Sequence, residues 1–406
     1  MKNPWLRSLG PGLLFAGAAI GVSHLVQSTR AGADYGFGLL WALVLVNFFK
    51  YPFFQYGPRY AMATGESLID GYKRLGKWVL VTYFIITFAT MFTIQAAVTI
   101  VTAGLAMNLF GISGNPTSWS IVITLLCFLL LLIGKFKLLD RLMKIIIVIL
   151  TISTLIAVTI AALNNSQAIS FTQALPRGTL EVAFLISFLG WMPAPLDISA
   201  WHSLWALEKQ KENTSAYDTK KSIFDFNVGF FGTLFLAACF VALGALLMHH
   251  SGKTFSNSAG VFAEQLISLY TENLGNKTAI FISIAAFTTM FSTTLTTLDA
   301  SPRAMARSTE LLFDKSFKYN YGLWIVLLSL GTVFILTMLA SDMISMVKVA
   351  TIISFLTAPF YAIVNFILIS GKHTPTEWHP SKGMQVLSYL GIIFLVGFSI
   401  WYLMNL

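Results

Sequence analysis

The sequence predicts an all-helical integral membrane protein with about eleven transmembrane helices. Hydrophobic residues make up 56% of the 406 residues and charged residues only 11%, whereas soluble proteins average about 25% charged residues. Apolar runs of about 20 residues, the length that crosses a bilayer, recur along the chain, and two of them are interrupted near their middle. These observations argue against a soluble enzyme and predict one transmembrane domain over residues 1–406.

The predicted spans follow one another with short connections. No small-residue cleavage pattern ends the first apolar run, so we interpret it as a retained span rather than a secretory signal. The eleven spans cover about 11–33, 36–56, 79–108, 117–134, 140–163, 180–207, 223–248, 277–299, 322–341, 343–370 and 384–404.

The two interrupted runs are residues 18–25 near the start and 191–197 near the centre. A helix in lipid satisfies its own backbone, so a break is tolerated only where the freed groups face protein, water or a solute. Breaks in corresponding helices of two halves point to the central site of a transporter. Here the broken spans open two blocks of five helices, about 11–163 and 180–370, and 384–404 is an extra helix. We therefore expect a solute site between the breaks.

Basic residues alternate from one loop to the next along these spans. If the amino-terminal segment with Lys2 and Arg7 is cytoplasmic, 21 of the 26 basic residues fall on the inside, Lys50 among them. Four fall outside, and Lys348 lies within a span. Because basic loops resist translocation, we expect a cytoplasmic amino terminus and a location in the cell (inner) membrane.

Composition and motifs exclude several other classes of protein. The net charge of +9 does not indicate nucleic-acid binding, because the charges lie beside the spans and face anionic lipid. No phosphate-binding glycine loop followed by Lys and Ser or Thr occurs, so direct use of ATP is not expected. Cys127 and Cys239 lie in separate spans and are interpreted as core residues. No cofactor and no catalytic residue are predicted; the expected partners are lipid, a transported solute and a coupling ion.

Several short motifs accompany the breaks. Gly-Pro-Gly at 10–12 precedes the first break, Arg-Ala-Gly-Ala-Asp-Tyr-Gly at 30–36 follows it, and residues 58–70 continue from span two. Met192 and Pro193 stand in the second break. In this combination the chain resembles the Nramp family of proton-coupled divalent-metal transporters. The resemblance implies a LeuT-type fold, in which two inverted repeats of five helices alternate access around discontinuous helices 1 and 6.

The first break departs from the family's pattern. The family's Asp-Pro-Gly-Asn motif supplies an Asp and an Asn to the metal, together with a methionine of span six and a backbone carbonyl three residues before that methionine. By the resemblance, Gly21 stands at the Asp position and His24 at the Asn position, while the carbonyl falls on Leu189 and the methionine is Met192. These four residues are predicted to contact the substrate. The family's charged proton route is missing, because the third span contains no acidic residue.

The residues at the breaks offer a mixed set of ligands. His24, Met192 and Asp197 supply an imidazole, a thioether and a carboxylate, which suit borderline transition metals, so they are the predicted metal ligands. Asp197 either reaches the substrate or caps the second half-helix. His24 either binds the metal, carries the coupling proton or bonds the freed backbone. Lys348 either extends to the surface or takes part in coupling beside the substrate.

Three hypotheses of function follow. The leading one is a secondary transporter of divalent transition-metal ions of the Mn or Fe type, with a proton as the candidate coupling ion. The alternative is a carrier of a small organic or zwitterionic solute, with Lys348 or His24 in coupling, because both first-helix ligand side chains of the family are replaced. The third is a membrane scaffold or sensor that transports nothing.

Overall fold

The computed structural model describes residues 9–133, 136–165, 167, 169–212, 218–249, 254–275, 279–339 and 342–405. These residues form fifteen α-helices, and no β-strand occurs among them. The helices are α1 (Pro11–Ala19), α2 (Thr29–Tyr35), α3 (Leu40–Thr64), α4 (Leu68–Leu75), α5 (Lys77–Phe110), α6 (Pro116–Ile133), α7 (Phe136–Asn164), α8 (Thr179–Gly190), α9 (Ile198–Glu212), α10 (Thr219–Leu247), α11 (Ala259–Leu274), α12 (Ala279–Phe313), α13 (Asn320–Phe334), α14 (Met343–Ser370) and α15 (Lys382–Leu403).

The helices match the predicted spans. Seven are long and apolar enough to cross a membrane within the described residues, and a bent pair, α1 with Ser23–Tyr35, makes an eighth candidate. The other three predicted spans coincide with α3, α7 and the pair of α8 and α9. The all-helical membrane fold is therefore confirmed. The predicted span ends at 134, 277 and 341, like Lys2 and Arg7, lie outside the described residues.

Two helices were not predicted from the sequence. α4 and α11 lie between spans, and neither has the long apolar run of a spanning helix. α4 begins with a capping box: the Ser67 side chain accepts from the Asp70 amide, and the Asp70 carboxylate accepts from the Ser67 amide. Asp70 also forms an ion pair with Arg307 of α12. The short helix is therefore fixed to the long helix α12 by charge as well as by packing.

Both interrupted spans lie in the centre of the helix assembly. α10 packs against both α1 and α2, the two halves of the first broken span. α8 packs against α14, and α9 packs against α3. The breaks are therefore enclosed by continuous helices that can supply side chains to the backbone groups freed there.

Asp225 of α10 is expected to stabilise the start of the first span. Its carboxylate accepts from the Gly10 amide at 3.0 Å and the Gly12 amide at 2.8 Å, and an anion is favoured at a helix amino terminus. We expect Asp225→Ala to lower the free energy of unfolding by about 1.5–3 kcal/mol, because it removes hydrogen bonds to a charged group. Thermal unfolding of the purified protein measures the effect. Asp225→Asn, which keeps the shape, should lose less, and equal stability of all three proteins would contradict this role.

Candidate functional site

The first break is short and is followed by a wide helical turn. α1 ends at Ala19, and a π-helix runs from Ser23 to Ser28 before α2 begins. The two halves are bent by 47°. Between them the Gly21 carbonyl accepts from the amides of His24 and Leu25. The interruption predicted for this span is therefore present in the structure.

Gly21 lets α12 approach the first break closely. A Cβ atom at Gly21 would lie 2.9 Å from Oγ1 and 3.0 Å from Cγ2 of Thr293. A carboxylate side chain at this position would therefore need Thr293 to move. The Thr293 hydroxyl in turn donates to the Gly17 carbonyl at 3.2 Å, so α12 is bonded to the first half of the broken span.

His24 is fully buried and bonded to the backbone through both ring nitrogens. Nε2 lies 2.9 Å from the Thr233 carbonyl of α10, and Nδ1 lies 3.0 Å from the Ala19 carbonyl and 2.8 Å from the Ser23 hydroxyl. The Ser23 hydroxyl itself donates to the Ala19 carbonyl at 2.6 Å, so both ring nitrogens face acceptors, and a neutral ring donates through only one of its nitrogens. Each ring nitrogen is directed at a backbone carbonyl oxygen and not at a cavity. To act as a ligand, the ring would have to leave these partners.

The second break is longer, and its carbonyls converge on Lys50. α8 ends at Gly190, residues 191–197 are not helical, and α9 begins at Ile198. From α3, the Lys50 Nζ atom donates to the carbonyls of Leu189 and Gly190 at 2.7 Å each, with the Ala194 carbonyl at 3.4 Å. The last carbonyls of a helix lack intrahelical partners and lie at the negative end of its dipole. The ammonium therefore occupies a cation site formed by the break.

The position of Lys50 corrects the sequence analysis, which counted it among the inside loop charges. That expectation is wrong: Lys50 lies within α3 and is completely buried. The signal was present in the sequence, because a lysine inside an apolar run of span length must be paired or face a cavity. Its partners could not be predicted, because they are backbone carbonyls about 140 residues further along the chain.

Leu189 and Met192 lie at the second break as predicted. The Leu189 carbonyl binds a positive charge, and that charge is the Lys50 ammonium. Met192 is completely buried in the hydrophobic core that also contains the Leu189 side chain. Met192 does not line the cavity between the two breaks. The structure thus gathers Lys50, Leu189 and Met192 at one break, while His24 is bonded to α10.

A narrow cavity lies between the two breaks. Its walls are mostly apolar, with Trp191 and Trp201 from the second broken span. The polar side chains that line it are the hydroxyls of Ser23, Thr293 and Thr297, and no charged side chain is among its lining residues. Its volume of about 20 Å³ is enough for about one water molecule, so the cavity has the wall chemistry of a pocket for an organic ligand but not the size.

Asp197 lies at the end of the second break and faces a different cavity. That cavity shares Ile94 and Pro195 with the one between the breaks. Asp197 is 5% exposed. Its carboxylate interacts with the backbone amide of Ile198 at the start of α9, while its Oδ1 atom has no hydrogen-bond partner. The contact with the Ile198 amide agrees with the predicted capping role, while contact between Asp197 and a substrate stays a prediction.

Lys348 lies apart from these cavities. It is a half-buried residue of α14 and lines neither the cavity between the breaks nor the cavity at Asp197. Its ammonium forms no ion pair with the described carboxylates, whose salt bridges involve other cations. A coupling role for Lys348 stays a prediction, and Lys50 is the lysine that lies at the site.

A chain of hydroxyl and amide groups joins the two broken spans to α14. Gln27 of the π-helix donates to the Ser187 hydroxyl of α8 at 2.6 Å, and Ser187 is 2.5 Å from the Thr351 hydroxyl of α14. Sequence reasoning missed this connection because all three residues are ordinary polar residues of apolar helices. These two contacts link the first broken span to the second and the second to α14.

The potential metal ligands do not form a dense cluster. In the part of the chain that the structure describes, no three His, Cys, Asp or Glu side chains are grouped so that they could hold a metal ion. The donors at the second break are instead backbone carbonyls, the Met192 thioether and the Asp197 carboxylate. Of these donors, only the Asp197 carboxylate can carry a negative charge.

Two discontinuous spans that meet around a cavity in an all-helical membrane protein define a transporter of the LeuT-type fold. The family description "Natural resistance-associated macrophage protein-like" (Nramp) matches residues 12–405, and the chain belongs to this family. It is therefore an integral, multi-pass membrane protein of a metal-ion transporter family, which is not a family of enzymes. The resemblance predicted from the motifs is confirmed.

Similar proteins agree with this fold. An uncharacterized protein of Pasteurella multocida (strain Pm70) is 35% identical over 414 residues, which cover 99% of this chain and 94% of that protein. A histidine-to-alanine mutant of the Eremococcus coleocola manganese transporter superposes with a TM-score of 0.72 at 14% identity, covering 98% of this chain and 86% of that one. MhsT in complex with L-phenylalanine superposes with a TM-score of 0.62 at 14% identity, covering 97% of both chains. The predicted LeuT-type fold is confirmed.

Proposed function

We propose that this chain is a secondary transporter that moves a divalent transition-metal ion of the Mn or Fe type by alternating access. The observation that carries the proposal is the convergence of three backbone carbonyls of the second break on one positive charge. Membership of the Nramp family supports a metal ion as that substrate. We also propose that the repeats cover about 11–163 and 180–370, with 384–404 as an extra helix.

In this proposal the Lys50 ammonium competes with the substrate ion for the same backbone carbonyls. A metal ion that takes the Leu189 and Gly190 carbonyls must displace the ammonium that binds them now. The Met192 thioether and the Asp197 carboxylate, from the same break, would supply a soft and a hard ligand. His24 would join only after leaving the Ala19 and Thr233 carbonyls. A proton is the candidate coupling ion, because the displaced ammonium can release one.

A small organic or zwitterionic solute is the second candidate, and two observations favour it. The cavity between the breaks has apolar and aromatic walls with three hydroxyls, a chemistry that suits an organic molecule better than a bare ion, and its volume of about 20 Å³ would have to widen during the transport cycle to admit one. A buried ammonium also repels a dication and attracts a carboxylate. In this candidate Lys50 keeps its carbonyl partners and attracts the negative group of the solute from behind the cavity wall, because it does not line the cavity itself.

The alternating basic residues support an orientation with a cytoplasmic amino terminus, and we propose the cell (inner) membrane as the location. Lys50 no longer contributes to that argument, because it is a core residue. The remaining loop residues keep the same bias.

Uptake of Mn²⁺ into proteoliposomes tests the leading proposal. With the full-length chain and an internal metal indicator, we expect saturable quenching that falls at least about tenfold in Met192→Leu, because this near-isosteric change removes the thioether. Met338→Leu is the matched control, since Met338 is 71% exposed and should leave uptake unchanged. Absence of Mn²⁺ uptake together with uptake from a mixture of labelled amino and carboxylic acids would favour the second candidate. No uptake of either class by folded protein would contradict transport.

A further inference from the structure

Two distant segments of the chain meet at one end of the helix assembly. Lys73 of α4 forms an ion pair with Asp314, which directly follows α12. Lys77, the first residue of α5, also interacts electrostatically with Asp314. The start of α5 and the end of α12 therefore lie side by side, and we call Lys77, Trp78 and residues 313–319 the interface patch.

The interface patch lies where spanning helices begin and end. α5 begins at Lys77 and α12 ends at Phe313, and both are long and apolar enough to cross a membrane. The span that contains α13 begins at Asn320, directly after the patch. The ends of spans lie at the level of the lipid headgroups, so the patch faces the surface of the bilayer.

Four aromatic side chains of the patch are exposed rather than packed into the core. The exposed fraction is 68% for Trp78, 69% for Phe313, 38% for Phe317 and 75% for Tyr319. The rings of Phe313 and Phe317 contact each other, with 6.2 Å between their centroids. Trp and Tyr at the ends of spans are typical of the membrane interface, and an exposed apolar cluster marks an interaction surface.

The patch also carries positive charge that no carboxylate of the described residues neutralises. Lys77, Lys315 and Lys318 are exposed, and none of them forms an ion pair within the described part of the chain. Asp314 is the one acidic residue in the patch sequence, and it is paired with Lys73. Three ammonium groups therefore remain for an anionic partner.

Two of these ammonium groups lie beside the aromatic rings. The Nζ atom of Lys315 is 5.8 Å from the ring centroid of Phe317, and that of Lys318 is 5.5 Å from the ring centroid of Tyr319. Both distances are within the range of a cation–π contact. Charge and apolar surface thus occur together in the patch, as they do in the headgroup and the upper acyl chain of a phospholipid.

We propose that the interface patch binds the headgroup of an anionic phospholipid. Lysines beside a span attract anionic lipid, and here they meet its phosphate while the exposed rings contact the glycerol and the upper part of the acyl chains. A free phosphate would leave those rings in water, so the aromatic residues favour a lipid. The orientation proposed above assigns this lipid to the cytoplasmic leaflet. Binding depends on neither that orientation nor the transported substrate.

Native mass spectrometry of the purified full-length protein in a neutral detergent tests the proposal. With phosphatidylglycerol and phosphatidylcholine added at equal concentrations, we expect at least about tenfold tighter binding of phosphatidylglycerol. Each lysine near anionic lipid contributes a factor of about five in affinity, so the double variant Lys315→Gln and Lys318→Gln should lower this preference at least about tenfold. Glycerol 3-phosphate at the same concentration should not displace the lipid, and displacement would contradict a lipid site.

The double variant Lys372→Gln and Lys382→Gln is the matched control. It removes the same charge from the connection between α14 and α15, at the same side of the membrane, where both lysines are exposed but no large hydrophobic side chain is. The control should keep the wild-type preference within about twofold. Equal losses in the two double variants, or equal binding of both lipids by the wild type, would overturn the proposal.

A variant without any change of charge tests the aromatic part of the patch. The double variant Phe313→Ser and Tyr319→Ser should weaken binding of phosphatidylglycerol at least about fivefold, because the apolar surface that contacts the lipid is lost. Both residues are exposed, so the melting temperature without added lipid should stay unchanged. Unaltered binding of phosphatidylglycerol in this variant would contradict a lipid that lies on the rings.

Discussion

Replacement of Lys50 by methionine is expected to lower the free energy of unfolding by about 2–5 kcal/mol. Lys50 is completely buried, and its ammonium is the donor to the Leu189 and Gly190 carbonyls. Methionine fills a similar volume but donates nothing, so each carbonyl loses its partner in a dry environment at about 1–3 kcal/mol. Removal of one partner of a buried charged interaction is destabilising for the same reason. Thermal or denaturant unfolding in detergent measures the effect.

Lys348→Met is the matched control for this experiment. It removes the same charge from a membrane helix, but Lys348 is only half-buried and has no ion pair with a described carboxylate. We expect a change within about 0.5 kcal/mol, as for most substitutions away from buried networks. Equal effects of the two substitutions would contradict the structural role of Lys50.

The same variant separates the two candidate substrates. If a metal ion competes with the ammonium for the carbonyls, a folded Lys50→Met protein should bind Mn²⁺ at least about tenfold more tightly, because the competitor is gone. If Lys50 attracts the negative group of an organic solute, uptake of that solute should be lost and Mn²⁺ affinity should not rise. Isothermal titration with Mn²⁺ and the solute uptake assay give these two readings.

The parts of the fold that depend on lipid were predictable from the sequence. The length of an apolar run and the positions of small residues and prolines within it can be read locally from the sequence. Because a membrane sets the length of a span and restricts where its backbone can be broken, these local features predict both the spans and their breaks. The sequence therefore predicted the two broken spans at the positions where α1 and α8 end. It did not predict α4 and α11, because a short helix between spans needs no long apolar run.

The contacts within the site were not predictable, because they join distant parts of the chain. Lys50 and the Leu189 carbonyl are 139 residues apart, and His24 and the Thr233 carbonyl are 209 apart. The partners are backbone carbonyls, which carry no signature in the sequence. The residue types were informative nonetheless: a histidine, a lysine and an aspartate in apolar spans must each be paired or face a cavity, and each of these three lies at or beside a break.

The backbones of α8 and α14 lie very close together at the second break, and this leads to the second large effect on stability that we expect. Gly190 is the last residue of α8, and a Cβ atom there would lie 2.1 Å from the Thr351 carbonyl oxygen of α14. Backbone atoms cannot give way as a side chain can, so Gly190→Ala must push α8 and α14 apart. That movement would also separate Ser187 from Thr351, which are now 2.5 Å apart.

We expect Gly190→Ala to lower the free energy of unfolding by about 3 kcal/mol, at the upper end of the range for overpacking, and to reduce uptake of the substrate in proteoliposomes. Gly397→Ala in α15 is the control, because a Cβ atom at Gly397 would have nothing within 4 Å of it; alanine there should stabilise the helix by up to about 1 kcal/mol. Thermal unfolding of both variants in detergent makes the comparison. If Gly190→Ala were as stable as Gly397→Ala, α8 and α14 would not be in backbone contact at the break. The contact with α14 could then not be what holds the Leu189 and Gly190 carbonyls in place for Lys50.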